Sequence, residues 1–263
     1  MLRTIFGKTL FEKRWTILIW FAAALISIFG ISMIFPPIRD TMGSMMAQVP
    51  QGIENWFGES STWQTFEGFA GMEVFGQMAI LLVVMAIVFG AALLAGDEAS
   101  GTLLTVLSRP VRRSSVFWQK YLAFVAMLAI TAIGFYGGAI LGGWALGEAV
   151  SYDGFALATL MVFLLSLALG SLAYAIGAIT GRKALAGLIV GFYAFVAYFI
   201  ASLSTATEIV DKLSYGTLFR YADAPAVLAN GLDGRNVLVL SLVSIVPLLV
   251  AWAIFIRRDL RTR

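Results

Sequence analysis

Between Asp97 and Ala123 the chain reads DEASGTLLTVLSRPVRRSSVFWQKYLA, which sets two acids, a Gly-Thr pair, a leucine-rich turn and three arginines side by side. The spacing predicts a short amphipathic helix from Thr102 to Ser108, with Leu103, Leu104 and Leu107 on one face. Pro110 stops it, and Arg109, Arg112 and Arg113 precede Ser114 and Ser115, either of which would cap the next helix. Such a piece, lying across a membrane face between two spans, works as a lever, because a force on it moves two long helices together. The alternative is an ordinary polar loop whose arginines only set orientation.

Other chemistry is scarce. With no Cys and no His, the chain has no disulfide, no thiolate or imidazole metal site, and no Ser-His-Asp or Cys-His machinery. Gly7-Lys8-Thr9 resembles the tail of a phosphate-binding loop, but the glycine needed five residues earlier is Leu2 and no strand precedes it. Met42, Met45 and Met46 offer thioethers for Cu(I), yet their spacing equally suits an amphipathic segment on the outer interface, so no metal is expected. Glu54 and Glu59, like Asp211 and Asp223, read as solvated loop acids and not as a catalytic pair.

The elements that position the loop follow from composition. Only 13% of residues are charged, and with glycine counted roughly two thirds are apolar, against about 25% and about 45–50% in soluble domains. Six uncharged runs approach the 20 or so residues that cross a bilayer: Trp15 to Phe35, Val74 to Ala95, Tyr121 to Leu146, Phe155 to Thr180, Ala184 to Ser204 and Val237 to Ile256. The first, about 21 residues long and ending at Phe35-Pro36-Pro37, is read as a retained span and not as a signal peptide. The expected fold is therefore an all-α integral membrane protein with six spans. Residues 1–14 form an amphipathic interfacial helix and 15–263 a single membrane domain, with a cytoplasmic loop at 97–115 and outer loops at 36–73 and 206–236.

Cations orient it. Fourteen of the 18 Lys and Arg fall on the side of both termini and of the loops after spans two and four, which makes that side cytoplasmic. The pI of about 9.3 follows from this asymmetry and implies no nucleic-acid partner. The runs hold no Asp, Glu, Lys or Arg, with Glu73 and Gln77 at the outer mouth of span two, so nothing relays a proton or lines an ion filter. Uphill transport would need energy from a partner. Gly134, Gly138 and Gly142 on span three, and Gly187 and Gly191 on span five, recur every fourth residue and predict close helix packing.

The loop resembles that of the type-2 permeases of ATP-binding-cassette (ABC) exporters. The matching positions are Glu98, Gly101-Thr102, Leu103 to Leu107, Ser108-Arg109-Pro110, Arg112-Arg113 and Lys120-Tyr121-Leu122. The resemblance extends to the plan of an amphipathic N-terminal helix, six spans and a basic C-terminus. It implies that the loop is a coupling helix seated on a separate ATPase, with two ATPase subunits per complex. Those subunits, and not this chain, would bind ATP and Mg, and a second permease copy or homologue would complete the path. It also implies the plasma membrane of a prokaryote, and export of an amphipathic, lipid-like, drug or peptide substrate. Two other readings compete: a non-transporting membrane scaffold, and a permease for copper-enzyme maturation. An intramembrane enzyme ranks lowest, since the spans hold none of the needed groups.

Overall fold

In hydrocarbon a backbone must satisfy its own N–H and C=O groups, so a long apolar run has a helix or a closed barrel open to it. The computed structural model describes residues 4–46, 62–108, 110–204 and 207–258, with the backbone alone at 42–46, 62, 104 and 107; these residues form helices and no strand. Helix α1 (Ile5–Glu12) is capped by the Thr4 hydroxyl, which accepts from the Gly7 N–H. The first span is α2 (Arg14–Ser32) continued by α3 (Phe35–Met46). The second is composite: α4 (Phe66–Phe69), a π-helical segment (Ala70–Gln77) and α5 (Ala79–Leu93). Helices α6 (Ala95–Ala99) and α7 (Thr102–Leu107) form the following loop, and α8 (Arg113–Leu146), α9 (Tyr152–Thr180) and α10 (Lys183–Ser202) are the next three spans. Two short helices, α11 (Glu208–Ser214) and α12 (Ala224–Asn230), precede the last span, α13 (Gly234–Phe255).

Six helices are long and apolar enough to cross a membrane, in the order the uncharged runs predict. They divide into two groups. In spans two, three and four 56–61% of the most apolar window is buried, against 22% in spans one, five and six. The first group is the core and the second its lipid-facing wall. The core closes through backbone contact: a Cβ on Gly90 of α5 would overlap the carbonyl group of Gly170 of α9, so those helices meet where neither has a side chain.

The ends of the spans differ from expectation. The stretch 36–73, expected as an outer loop, is helical at both its margins. Pro36 and Pro37 do not end the first helix but open α3, where their missing N–H groups are not needed by the helix ladder. Span two begins at Phe66, under a Thr65 cap that accepts from the Gly68 N–H, so Glu73 lies within a helix and accepts from Gln77 Nε2 at 3.3 Å. The segment 206–236 carries α11 and α12, capped by Thr207 and Asp223. Met42, Met45 and Met46 have no described side chains, and Glu54 and Glu59 lie outside the described residues.

Span three is longer than its uncharged run. At 1.5 Å per residue α8 extends about 51 Å, some 20 Å beyond the hydrocarbon core. Its first two turns, from Arg113 to Lys120, precede the uncharged run, and Lys120, expected at the opening of the span, is a buried helical residue.

Candidate functional site

The loop after span two sits at the end of the bundle that gathers Lys120, Arg113, Arg182, Lys183 and Arg258, here called the basic end. Helix α5 passes into α6 with little interruption, since the Glu98 N–H donates to the Leu94 carbonyl. Gly101, at φ 76°, then supplies the left-handed residue that turns the chain into α7. In α7 Leu103 is fully buried and Val106 packs against the core, while Thr102, Thr105 and Ser108 are exposed. The loop helix therefore anchors through Leu103 and Val106 and turns a hydroxyl-bearing face outward. Leu107 lacks a described side chain, and Arg109 lies outside the described residues. Pro110 and Arg112 are exposed.

Ion pairs fasten this loop to distant parts of the chain. Asp97 pairs with Lys120 of α8, whose ammonium also donates to the Leu93 carbonyl at 3.0 Å. Glu98 pairs with Arg258, just beyond α13, and their side chains are only 3% and 16% exposed. Arg113 donates from Nη1 to the Arg258 carbonyl at 2.6 Å. Gly181, at φ 65° in the turn between spans four and five, lies against the same pair: a Cβ there would come within 2.8 Å of Glu98 Oε1 and 2.9 Å of Arg258 Nη1. Three separate segments thus meet at one buried carboxylate, and α8 joins them through the Arg258 backbone. Arg258 Nε is buried without a hydrogen-bond partner among the described residues.

An aromatic cluster packs where α8, α9 and α13 meet at this end. Phe117 of α8 lies 5.2 Å from Tyr174 of α9 and 5.7 Å from Phe255 of α13, centroid to centroid. The Tyr174 hydroxyl donates to the Phe117 carbonyl at 2.7 Å, and the Tyr121 hydroxyl lies 2.8 Å from Ser171 Oγ. Trp252 Nε1 donates to Ser114 Oγ at 2.9 Å. That bond, and a second from Gln119 Nε2 to Ser115 Oγ, occupy the serines expected to cap α8; its cap residue is Arg112, with no side-chain bond. Burial of Lys120 and of Glu98 with Arg258 strengthens attraction within the pairs and raises the cost of separating them.

The predicted packing glycines divide in two. Those of α8 face the first span: a Cβ on Gly134 would come within 2.7 Å of the Phe21 carbonyl oxygen, one on Gly138 within 2.6 Å of that of Leu25, and one on Gly142 would overlap Ser32. On α10, Gly187 has only Ala91 near, at 3.9 Å, and nothing lies within 4 Å of Gly191. The second pair makes no close helix contact among the described residues.

The sequence and its resemblance to the permeases pointed to Glu98, Gly101, Thr102, Leu103, Leu107, Arg109, Pro110, Arg112 and Arg113 as a loop unit but did not mark Asp97, Lys120 and Arg258 as its anchors. Glu98 and Arg258 stand 160 residues apart, and each also fits the rule that polar residues collect where a span leaves the membrane. No local signal marks them as partners.

Helix α1 joins the same end. Its Phe6 N–H donates to Gln119 Oε1 at 3.1 Å, and Ile5 and Leu10 pack against the core. A sequence profile of the family described as ABC-2 family transporter protein matches residues 8–260, nearly the whole chain. No curated protein matches it.

Proposed function

Since the chain belongs to the ABC-2 transporter family and is a multi-pass membrane protein, we propose that it is the permease of an ATP-driven exporter, energised through the 97–115 loop by a separate ATPase. Permeases of this family generally work with ATPase subunits. In the proposal two such subunits bind ATP and Mg, a second permease copy or homologue completes the path, and this chain supplies no catalytic residue. The basic end, with both termini, faces the cytoplasm of a prokaryote.

One observation carries the reading: the loop is joined by ion pairs both to α8, through partly exposed Asp97 and buried Lys120, and to the end of α13, through Glu98 and Arg258, both largely buried. A partner gripping the exposed face of Thr102, Thr105 and Ser108 displaces α7. The displacement reaches span three and span six without delay in a flexible linker, because parting either pair would strand a buried charge. Span two follows through the backbone continuity of α5 and α6. The substrate is taken to be amphipathic or apolar, since among the described residues no charged side chain lies in the middle of a span to receive an ion.

The test is co-expression of the chain with an ATPase subunit from the same host, followed by purification and reconstitution into vesicles. The proposal expects a stable complex and ATP-dependent movement of an amphipathic dye. A complex that forms and hydrolyses ATP, but neither moves substrate nor responds to it, would leave the scaffold reading in its place.

A further inference from the structure

Beside the fastened loop an open groove of about 460 Å³ runs along the start of α10, between Ala99 of α6 and residues 181–185 and 188. Its walls are apolar except at the mouth, where Arg182 and Lys183 are exposed and make no ion pair with a described residue. Their neighbours at the basic end behave differently: Lys120 and Arg258 are spent on carboxylates, and Arg113 on a backbone carbonyl. From the mouth an apolar track continues along α10, because Leu185, Leu188 and Phe192 follow at helical spacing; Leu188 and Phe192 are 69% and 68% exposed.

From two exposed cations without an ion pair among the described residues and an apolar track leading along α10, we infer that this groove binds an anionic phospholipid. The phosphate lies between Arg182 and Lys183, and one acyl chain follows Leu185, Leu188 and Phe192. Basic pockets between spans at the inner side have the chemistry that holds such headgroups. A soluble anion would use the cations and gain nothing from the track. An ATPase surface would reach the cations but would leave Leu188 and Phe192 to the hydrocarbon. The volume falls in the range of small-molecule sites, about 300–1,000 Å³, enough for a headgroup and the upper part of a chain. Ala99 and Gly181 line the groove and adjoin the Glu98–Arg258 pair, so a bound lipid wedges against the anchor of the loop. The inference requires α10 to span the membrane and does not depend on the transport reading.

The chain has no cysteine, so Phe192→Cys accepts a single environment-insensitive fluorophore. The labelled full-length protein goes into nanodiscs whose phosphatidylcholine is replaced stepwise by brominated phosphatidylglycerol, or by brominated phosphatidylcholine as reference. The expected result is stronger quenching by the anionic lipid at equal mole fraction. Arg182→Gln with Lys183→Gln should weaken its apparent affinity about 25-fold, from about five-fold per charge. Lys8→Gln with Lys13→Gln, exposed cations away from the groove, should leave it unchanged. Equal quenching by the two lipids overturns the inference, as does an anionic preference that survives the double substitution. Loss of the preference to inorganic phosphate would assign the cations to a soluble anion, and loss on ATPase binding would assign the groove to the protein partner; either result also overturns it.

Discussion

The two ends of the bundle hold themselves together by different means. At the basic end the main polar contacts join residues far apart in sequence, and each holds at least one buried side chain: Glu98 with Arg258, Lys120 with the partly exposed Asp97, Tyr174 with the Phe117 carbonyl. At the opposite end most are local and open to water. Arg220 bonds Asp211 and Ser214 within nine residues, its guanidinium held above its usual pKa first by the hydrogen bond to Asp211. Lys212 pairs with Glu208 one turn away, and α11 and α12 rest on their own caps. Arg39 with Glu148 and Tyr198 with Gln77 are long-range exceptions, the first partly exposed and the second exposed. Long-range buried pairs make separate segments move as one body, whereas local exposed pairs let each short helix shift alone. The contrast suits a machine driven from one end and opening at the other.

The comparison can be broken by substitution. The largest effect is expected from Glu98→Ala, which leaves the Arg258 guanidinium buried without its carboxylate. Loss of one partner of a buried pair costs about 3–5 kcal/mol, and the low end applies because Arg258 keeps some access to water. Substrate-stimulated ATP hydrolysis and transport should both collapse in the reconstituted complex, and Glu98→Asp should restore part of them. Next comes Gly90→Ala, whose new methyl would meet the Gly170 backbone, with no side chain there to yield. Overpacking predicts a loss of about 2 kcal/mol, read as a lower Tm in detergent. Gly191→Ala, with open space around it, should shift stability by no more than about 0.5 kcal/mol. Equal effects at the two glycines would erase the distinction between core and wall. The smallest effect belongs to Arg220→Gln at the opposite end, which should alter neither Tm nor assembly measurably, since exposed ion pairs contribute little.

What the sequence made legible follows the physics of each feature. Six spans could be read because charge is expensive in hydrocarbon, and its absence over 20 residues has few other causes. The same logic left the burial of Lys120 unseen, because a lysine looks like an end of span whether it faces water or sits buried and paired with Asp97. Pro36-Pro37 looked like a stop but is equally a helix opening, and only the cap geometry separates the two. The spacing of Gly134, Gly138 and Gly142 announced a close contact, yet nothing in it named α2 as the partner. In the loop, Gly101 and Leu103 took the places their types demand, a left-handed turn and a buried anchor. Arg258 could not be found at all, since its role exists only once α13 has folded back against the loop.

The account rests on the basic end being the surface that an ATPase grips, and a single cysteine reads this directly in a chain that has none. Thr102→Cys, on the exposed face of α7, would be compared with Glu208→Cys, on exposed α11 at the opposite end. Each is carried by the full-length chain co-expressed with the ATPase and treated in intact cells with a membrane-permeant thiol-to-amine cross-linker. The account predicts a covalent product with the ATPase from position 102 and none from position 208. A complex that assembles yet gives no product at 102, or gives equal product at both positions, would contradict it.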